Sequence, residues 1–262
     1  MQPDSLTHSA PGLDRLYMSS SQYSDFLACE SMALAKLNGM YQPPETKACL
    51  QGKMLHAWAA GVLDEFLLST PSFYKQKGGL YAEYETVMDM IHALEDDPRA
   101  ADFLTGTKRA VFTAPLAGAE WQVCLDVYRP DLRRIVDIKS TRSIREKVWH
   151  DSAQSRVSFV ESYDYLRQAA VYAEVERAAG GRPSGDWYDT YILAVSKEEP
   201  PDKEIISLVD ADRYAQELAE IGNRMPRILA LKSGTVLPER CECCPYCRST
   251  KTLGEGVHYT AL

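Results

Sequence analysis

The chain has 262 residues, 45% of them hydrophobic and 25% charged, an ordinary balance for a globular protein with room for one large domain or two small ones. A formal net charge of -8 argues against holding nucleic acid by bulk electrostatics, and no apolar run is long enough to cross a bilayer. The opening Met1-Gln-Pro-Asp-Ser-Leu-Thr-His8 lacks the basic start and apolar core of a signal peptide, so the expected location is cytoplasmic, with no membrane partner.

Residues 1–18 read as a polar, flexible tail. Ser19-Ser-Ser-Gln-Tyr23 then opens a helix with good N-cap candidates, and Asn38-Gly39 closes it; Cys29 lies within this run. A second helix spans Thr46 to Leu68, where Leu50, Met54, Leu55, Trp58, Val62, Leu63 and Phe66 recur near helical spacing, and it carries His56. Residues 83–97 form a third helix stopped by Asp97-Pro98.

A β-meander follows: Arg109–Pro115, a turn at Gly118, then Trp121–Tyr128, a break at Arg129-Pro130-Asp131, and Arg134–Lys139. Helical pattern resumes near Ser143 and again from Ser162 to Ala179, ended by Gly180-Gly181. Two more strands, Tyr188–Val195 and Glu204–Val209, precede a last helix from Ala211 to about Lys232. Residues 19–262 therefore read as a single α/β domain with a mixed sheet, a central β-meander and flanking helices.

The chemistry concentrates on the meander. Aspartate is disfavoured in strands, yet Asp126 and Asp137 each interrupt an apolar one. Side chains alternate along a strand, so Asp137 and Lys139 share a face. If the two strands pair, Asp126 approaches that face, and two carboxylates with an ammonium suit a divalent-cation site with a catalytic lysine. The bland alternative is a partly buried salt bridge. Arg129, Arg133, Arg134, Lys139, Arg142, Arg145 and Lys147 crowd the same region, either as a basic rim for an anionic substrate or as a solvated charged face. On the helix after the meander, Gln168 and Tyr172 stand at i and i+4, on one side.

Seven cysteines, four of them between Cys241 and Cys247, indicate metal binding in a reducing compartment more than a disulfide framework. Thiolates at C-x2-C-x2-C spacing suit either iron–sulfur or zinc.

Taken in order, Gly52-x3-His56, Asp126, Asp137-Ile138-Lys139 and Gln168-x3-Tyr172 resemble the motifs of the PD-(D/E)XK nuclease superfamily, in its RecB-like branch. Cys29 with Cys241-x2-Cys244-x2-Cys247 resembles the split four-cysteine iron–sulfur clasp of AddB-like and CRISPR-associated nucleases. Cys29-Glu30, Tyr163–Gln168 and Arg240–Lys251 look most similar to phage exonucleases of the RecE-like, exonuclease VIII type. The resemblance runs from Ser19 to Lys251. It departs from the pattern at Leu125, where a proline would precede Asp126, in a shortened last cysteine interval, and in the surplus Cys243.

The resemblance implies a restriction-endonuclease-like core and metal-assisted hydrolysis of DNA phosphodiesters. Asp126, Asp137 and the Ile138 carbonyl would hold Mg²⁺ or Mn²⁺, with His56 contributing to a second metal position. Lys139 would position water or stabilise developing charge, and Gln168 and Tyr172 would orient the DNA end. Cys29, Cys241, Cys244 and Cys247 would bind a 4Fe–4S cluster, or else a structural Zn²⁺, while Cys49 and Cys124 stay outside it. The implied role is an exonuclease acting on linear DNA ends in phage-type recombination, partnered by a single-strand annealing recombinase. The alternative is a catalytically inactive nuclease fold serving as a DNA-binding or adaptor protein.

Overall fold

A computed structural model describes residues 13–150, 153–254, 256, 258 and 260. Most of the expected tail, residues 1–12, falls outside these. Its last residues differ from the expectation: Leu13–Leu16 form a short helix (α1), and Met18, buried, makes a parallel bridge to Trp121. An apolar Met18 beside a buried tryptophan gains more from burial than from a solvated tail.

The centre is a five-stranded sheet in the order β1-β2-β3-β6-β7. Its strands are β1 (Thr107–Leu116), β2 (Ala119–Arg129), β3 (Arg134–Thr141), β6 (Asp189–Ser196) and β7 (Lys203–Ser207). All neighbours are antiparallel except β3 and β6, so the sheet is mixed, as expected. The parallel pair is joined by a crossover that contains α9 (Tyr165–Ala179), because a parallel step needs a long return.

Period-two patterning places the layers. On β3, Val136 and Ile138 face a core shared with α4 (Lys47–Ala59), α5 (Leu63–Ser69), α6 (Ala82–Glu95) and α7 (Pro98–Phe103). Ile135 faces the opposite core, built with α2 (Ser20–Ala28), α3 (Glu30–Leu37), α9 and α10 (Ala211–Lys232). The remaining strands and α-helices of the described residues are the two-stranded β4 (Val148–His150) and β5 (Ser155–Val157), α8 (Phe159–Ser162) and α11 (Pro245–Ser249).

Two expected helices are divided, and the third, 83–97, forms as one helix, α6. The first breaks at Cys29, which is extended (φ -168°, ψ 113°); the second breaks at Gly61, whose φ of +77° ends α4. Asp97-Pro98 ends one helix but also begins the next, since the Asp97 carboxylate accepts from the Arg99 and Ala100 amides and proline suits the first turn. The helical pattern expected near Ser143 is not formed: this stretch leads into the β4–β5 hairpin, where Val148 and Val157 pair across strands.

Candidate active site

The register of the β2–β3 hairpin builds the site. Its ladder runs through Arg129↔Arg134, Tyr128↔Ile135 and Val127↔Val136 and then stops. The next pair would be Asp126 with Asp137. There the Asp126 carboxylate takes the place of a ladder partner: its Oδ2 accepts the Ile138 amide at 2.8 Å. The backbone donor is satisfied by a side chain, and the carboxylate is held at the splayed end of the hairpin.

Asp126 Oδ1 meets His56 Nδ1 of α4 at 3.1 Å. Lys139 Nζ lies 2.7 Å from Asp137 Oδ2, and Asp137 is only 6% exposed. On α9, Gln168 Nε2 donates to the Tyr172 hydroxyl at 2.7 Å, as the shared helix face predicts.

The charges act on one another. Burial disfavours the Asp126 carboxylate, but His56, Lys139 and the Ile138 amide outweigh it and hold its pKa far below the usual range. Burial pushes the Asp137 carboxyl up to about 6; Lys139 opposes this and the Asp126 charge reinforces it. His56 and Lys139 are each disfavoured as cations by burial, yet both titrate above their ordinary values, chiefly through Asp126 for the first and Asp137 for the second. Burial, then Asp137 and Asp126, keep the Tyr172 phenol protonated far into the alkaline range. Two helix layers and the sheet thus bring His56, Asp126, Asp137, Lys139 and Tyr172 into one electrostatic unit.

Two neighbours are not singled out by sequence reasoning. Tyr165 places its ring 4.8 Å from Lys139 Nζ. Lys108, paired on β1 with Val127, is held below its usual pKa by burial, while Asp126 pulls the other way. Lys108 stands at no motif spacing, and Tyr165, although within the Tyr163–Gln168 stretch, is tied to Lys139 by the fold alone. The basic rim proves to be mostly paired: Arg133 with Asp186, Arg134 with Asp102, Arg145 with Asp202 and Glu204.

The four cysteines of the expected clasp meet although Cys29 precedes the others by more than two hundred residues. Their sulfurs all lie within 4.8 Å of one another, with Cys29–Cys247 at 3.5 Å and Cys241–Cys247 at 3.9 Å. The break between α2 and α3 is what aims Cys29 at this point; its sulfur also accepts the Met32 amide. Amides of Cys244 and Cys247 point at the sulfurs of Cys241 and Cys244, at 3.2 and 3.3 Å. Cys49, Cys124 and Cys243 are exposed and outside the group.

A mixed sheet flanked by helices, with Asp126 and Asp137-Ile138-Lys139 at its splayed hairpin, defines a PD-(D/E)XK-like nuclease fold. The chain belongs to the family described as "PDDEXK-like domain of unknown function (DUF3799)", whose model matches residues 19–250. A crystal structure of a protein from Eubacterium rectale, described as "Putative exonuclease", is 31% identical, with a TM-score of 0.90 over all of this chain and 98% of that one. A structure of SSO0001 covers 72% of this chain and 81% of its own, at 11% identity and a TM-score of 0.29, a likeness that supports no argument. No curated protein matches the chain.

Proposed function

We propose that the protein is a Mg²⁺- or Mn²⁺-dependent exodeoxyribonuclease that hydrolyses linear DNA from an end. The observation that carries this reading is the pair Asp126 and Asp137 in one buried cluster with Lys139, within a PDDEXK-like fold. The donor set fits a hard cation, because it offers carboxylate and carbonyl oxygens in a buried setting. Asp126, Asp137 and the Ile138 carbonyl would hold the ion, and His56, whose Nδ1 is engaged by Asp126, keeps Nε2 for a second position. When bound, the ion supplies Lewis-acid polarisation of a phosphate and a lowered pKa for water.

The chain's own residues supply the rest. Lys139 keeps a positive charge where negative charge develops on the phosphate. Tyr172 remains a hydrogen-bond donor, and Gln168 fixes its hydroxyl. The exonuclease assignment draws on the Eubacterium rectale relative; the phage-type recombination role, the single-strand annealing recombinase partner and the cytoplasmic location extend the same reading.

The four thiols would hold a structural metal that ties α3 to the C-terminal segment. The family resemblance points to 4Fe–4S. The sulfur separations suit one tetrahedral ion such as Zn²⁺, with Zn–S of about 2.3 Å; a four-iron cluster puts each thiolate on a separate iron and needs them further apart. Iron, sulfide and zinc analysis of anaerobically purified protein distinguishes the two.

The test of catalysis is metal-dependent release of nucleotides from linear DNA by the wild type, lost in Asp137→Asn. Release by Asp137→Asn at the wild-type rate would refute the assignment.

A further inference from the structure

Beside the charged cluster the chain stores an unusual turn. Asp164, between α8 and α9, has a left-handed backbone (φ +54°), which costs energy for a non-glycine residue, though less for aspartate than for most. Its carboxylate makes no N-cap bond to α9; instead it pairs with Arg167 at 2.7 Å. The consequence lies on either side of it. The turn lays the Tyr163 ring over the Tyr165 ring, with centroids 5.7 Å apart and planes 25° from parallel. Tyr165 is fixed edge-on by Phe159 at 6.1 Å and presents its ring to Lys139 Nζ at 4.8 Å. Tyr163, at the outer end, is 64% exposed. A continuous path therefore runs from the ammonium at the proposed catalytic centre, through one packed ring, to a ring open to solvent.

We propose that Tyr163 is a stacking platform for the base of a single-stranded DNA end, next to the phosphate that is cleaved; this rests on the nuclease reading of the Asp126–Asp137–Lys139 site. Two observations and one general property of single strands converge. The net charge of -8 and the pairing of Arg133, Arg134 and Arg145 with carboxylates leave little for a broad electrostatic grip. Stacking on aromatic rings is the other main source of affinity for single strands, and it is sequence-tolerant. The ring pair starts at Lys139, so a nucleotide whose phosphate sits by the ammonium has its neighbour's base within reach of the tyrosines. A base reaches Tyr163 only after leaving its own stack, which selects an unpaired terminal strand over an intact duplex. The exposed aromatic Trp149 lies on the β4–β5 hairpin, which packs on α8, the helix that ends at Tyr163.

The test uses the full chain without added divalent metal, so that binding is read apart from cleavage. The probes are short single-stranded oligonucleotides with 2-aminopurine at the 5′ or the 3′ terminus, whose fluorescence is quenched by stacking. Wild type should quench one of them, and Tyr163→Ala should bind it about tenfold more weakly, equivalent to about 1.4 kcal/mol, with the quench lost. Tyr163→Phe, which keeps the ring, should restore both. Because Tyr163 is largely exposed, an unchanged melting temperature checks that the variants fold. Equal quenching by wild type and Tyr163→Ala, or quenching only with a blunt duplex end, overturns the platform. If wild type quenches through Tyr163 yet releases no nucleotides with Mg²⁺, the platform stands and the nuclease reading fails.

Discussion

Asp126 performs two tasks that different substitutions separate. Its carboxylate closes the end of the β2–β3 ladder by accepting the Ile138 amide, and it supplies negative charge opposite His56. In Asp126→Asn, the amide oxygen still accepts from Ile138, so the ladder contact survives without the charge, while the amide nitrogen can donate to His56 Nδ1 only when the imidazole carries its proton on Nε2. Stability should change little, while nuclease activity should fall at least about a hundredfold. Outer contacts to a metal site are already worth about 10–100-fold, and a direct ligand is worth no less. In Asp126→Ala the Ile138 N–H loses its acceptor at a partly buried position, which costs roughly 1–3 kcal/mol. At about 2–4 °C per kcal/mol for a chain of this size, the melting temperature should drop by roughly 2–12 °C. Thermal unfolding and nucleotide release from linear DNA, measured on both variants, separate the tasks. If Asp126→Asn cleaves like wild type, or destabilises as much as Asp126→Ala, the assignment of these tasks is wrong.

Cys29→Ala should remove bound metal and lower stability by more than the ~1–2 kcal/mol of a small cavity, because the loss reaches into metal-binding energy; metal content and chemical denaturation read this, and full metal retention would refute the clasp. Tyr172→Phe removes the acceptor of Gln168 and the protonated phenol beside the carboxylates; turnover should fall at least about a hundredfold with the fold intact, and wild-type turnover would dismiss Tyr172. Glu174 accepts from Arg177 at 2.8 and 2.9 Å and from the Trp187 indole at 2.7 Å. Burial opposes its charge, but these partners win, so its pKa in the fold lies below the ordinary value. A depressed carboxylate stabilises the fold above its unfolded pKa of about 4.3 and loses that contribution as pH falls through the folded value. The stability gap between wild type and Glu174→Gln should be roughly 1.5–3 kcal/mol at neutral pH and shrink as pH falls below the unfolded pKa and through the depressed folded one; a gap independent of pH would contradict this.

Much of the molecule is legible in the one-dimensional pattern because the physics there is local. Alternation along β2 and β3 marks the buried hairpin, and a carboxylate inside an apolar strand marks Asp126 and Asp137 as anomalies. Helical spacing puts Gln168 and Tyr172 on one side, and the C-x2-C-x2-C run flags thiolate chemistry. What local pattern leaves open depends on where chain segments meet. Periodicity continues through Cys29 and Gly61, so the breaks that orient Cys29 and end α4 after His56 need the backbone angles. The arginines near the hairpin look like a basic rim until their carboxylate partners, dozens of residues away, are known. Lys108 carries no motif, and Tyr165 lies in a family-like stretch without a stated role; placement against Asp126 and Lys139 is what makes them part of the site. The Asp137 carboxyl is pushed up to about 6 for the same reason: a pKa is set by solvent exclusion and by every charge within a few ångströms, and the chain order fixes neither. The residue types were determined by the sequence; which of them share one low-dielectric pocket was decided by the packing of two helix layers on a mixed sheet.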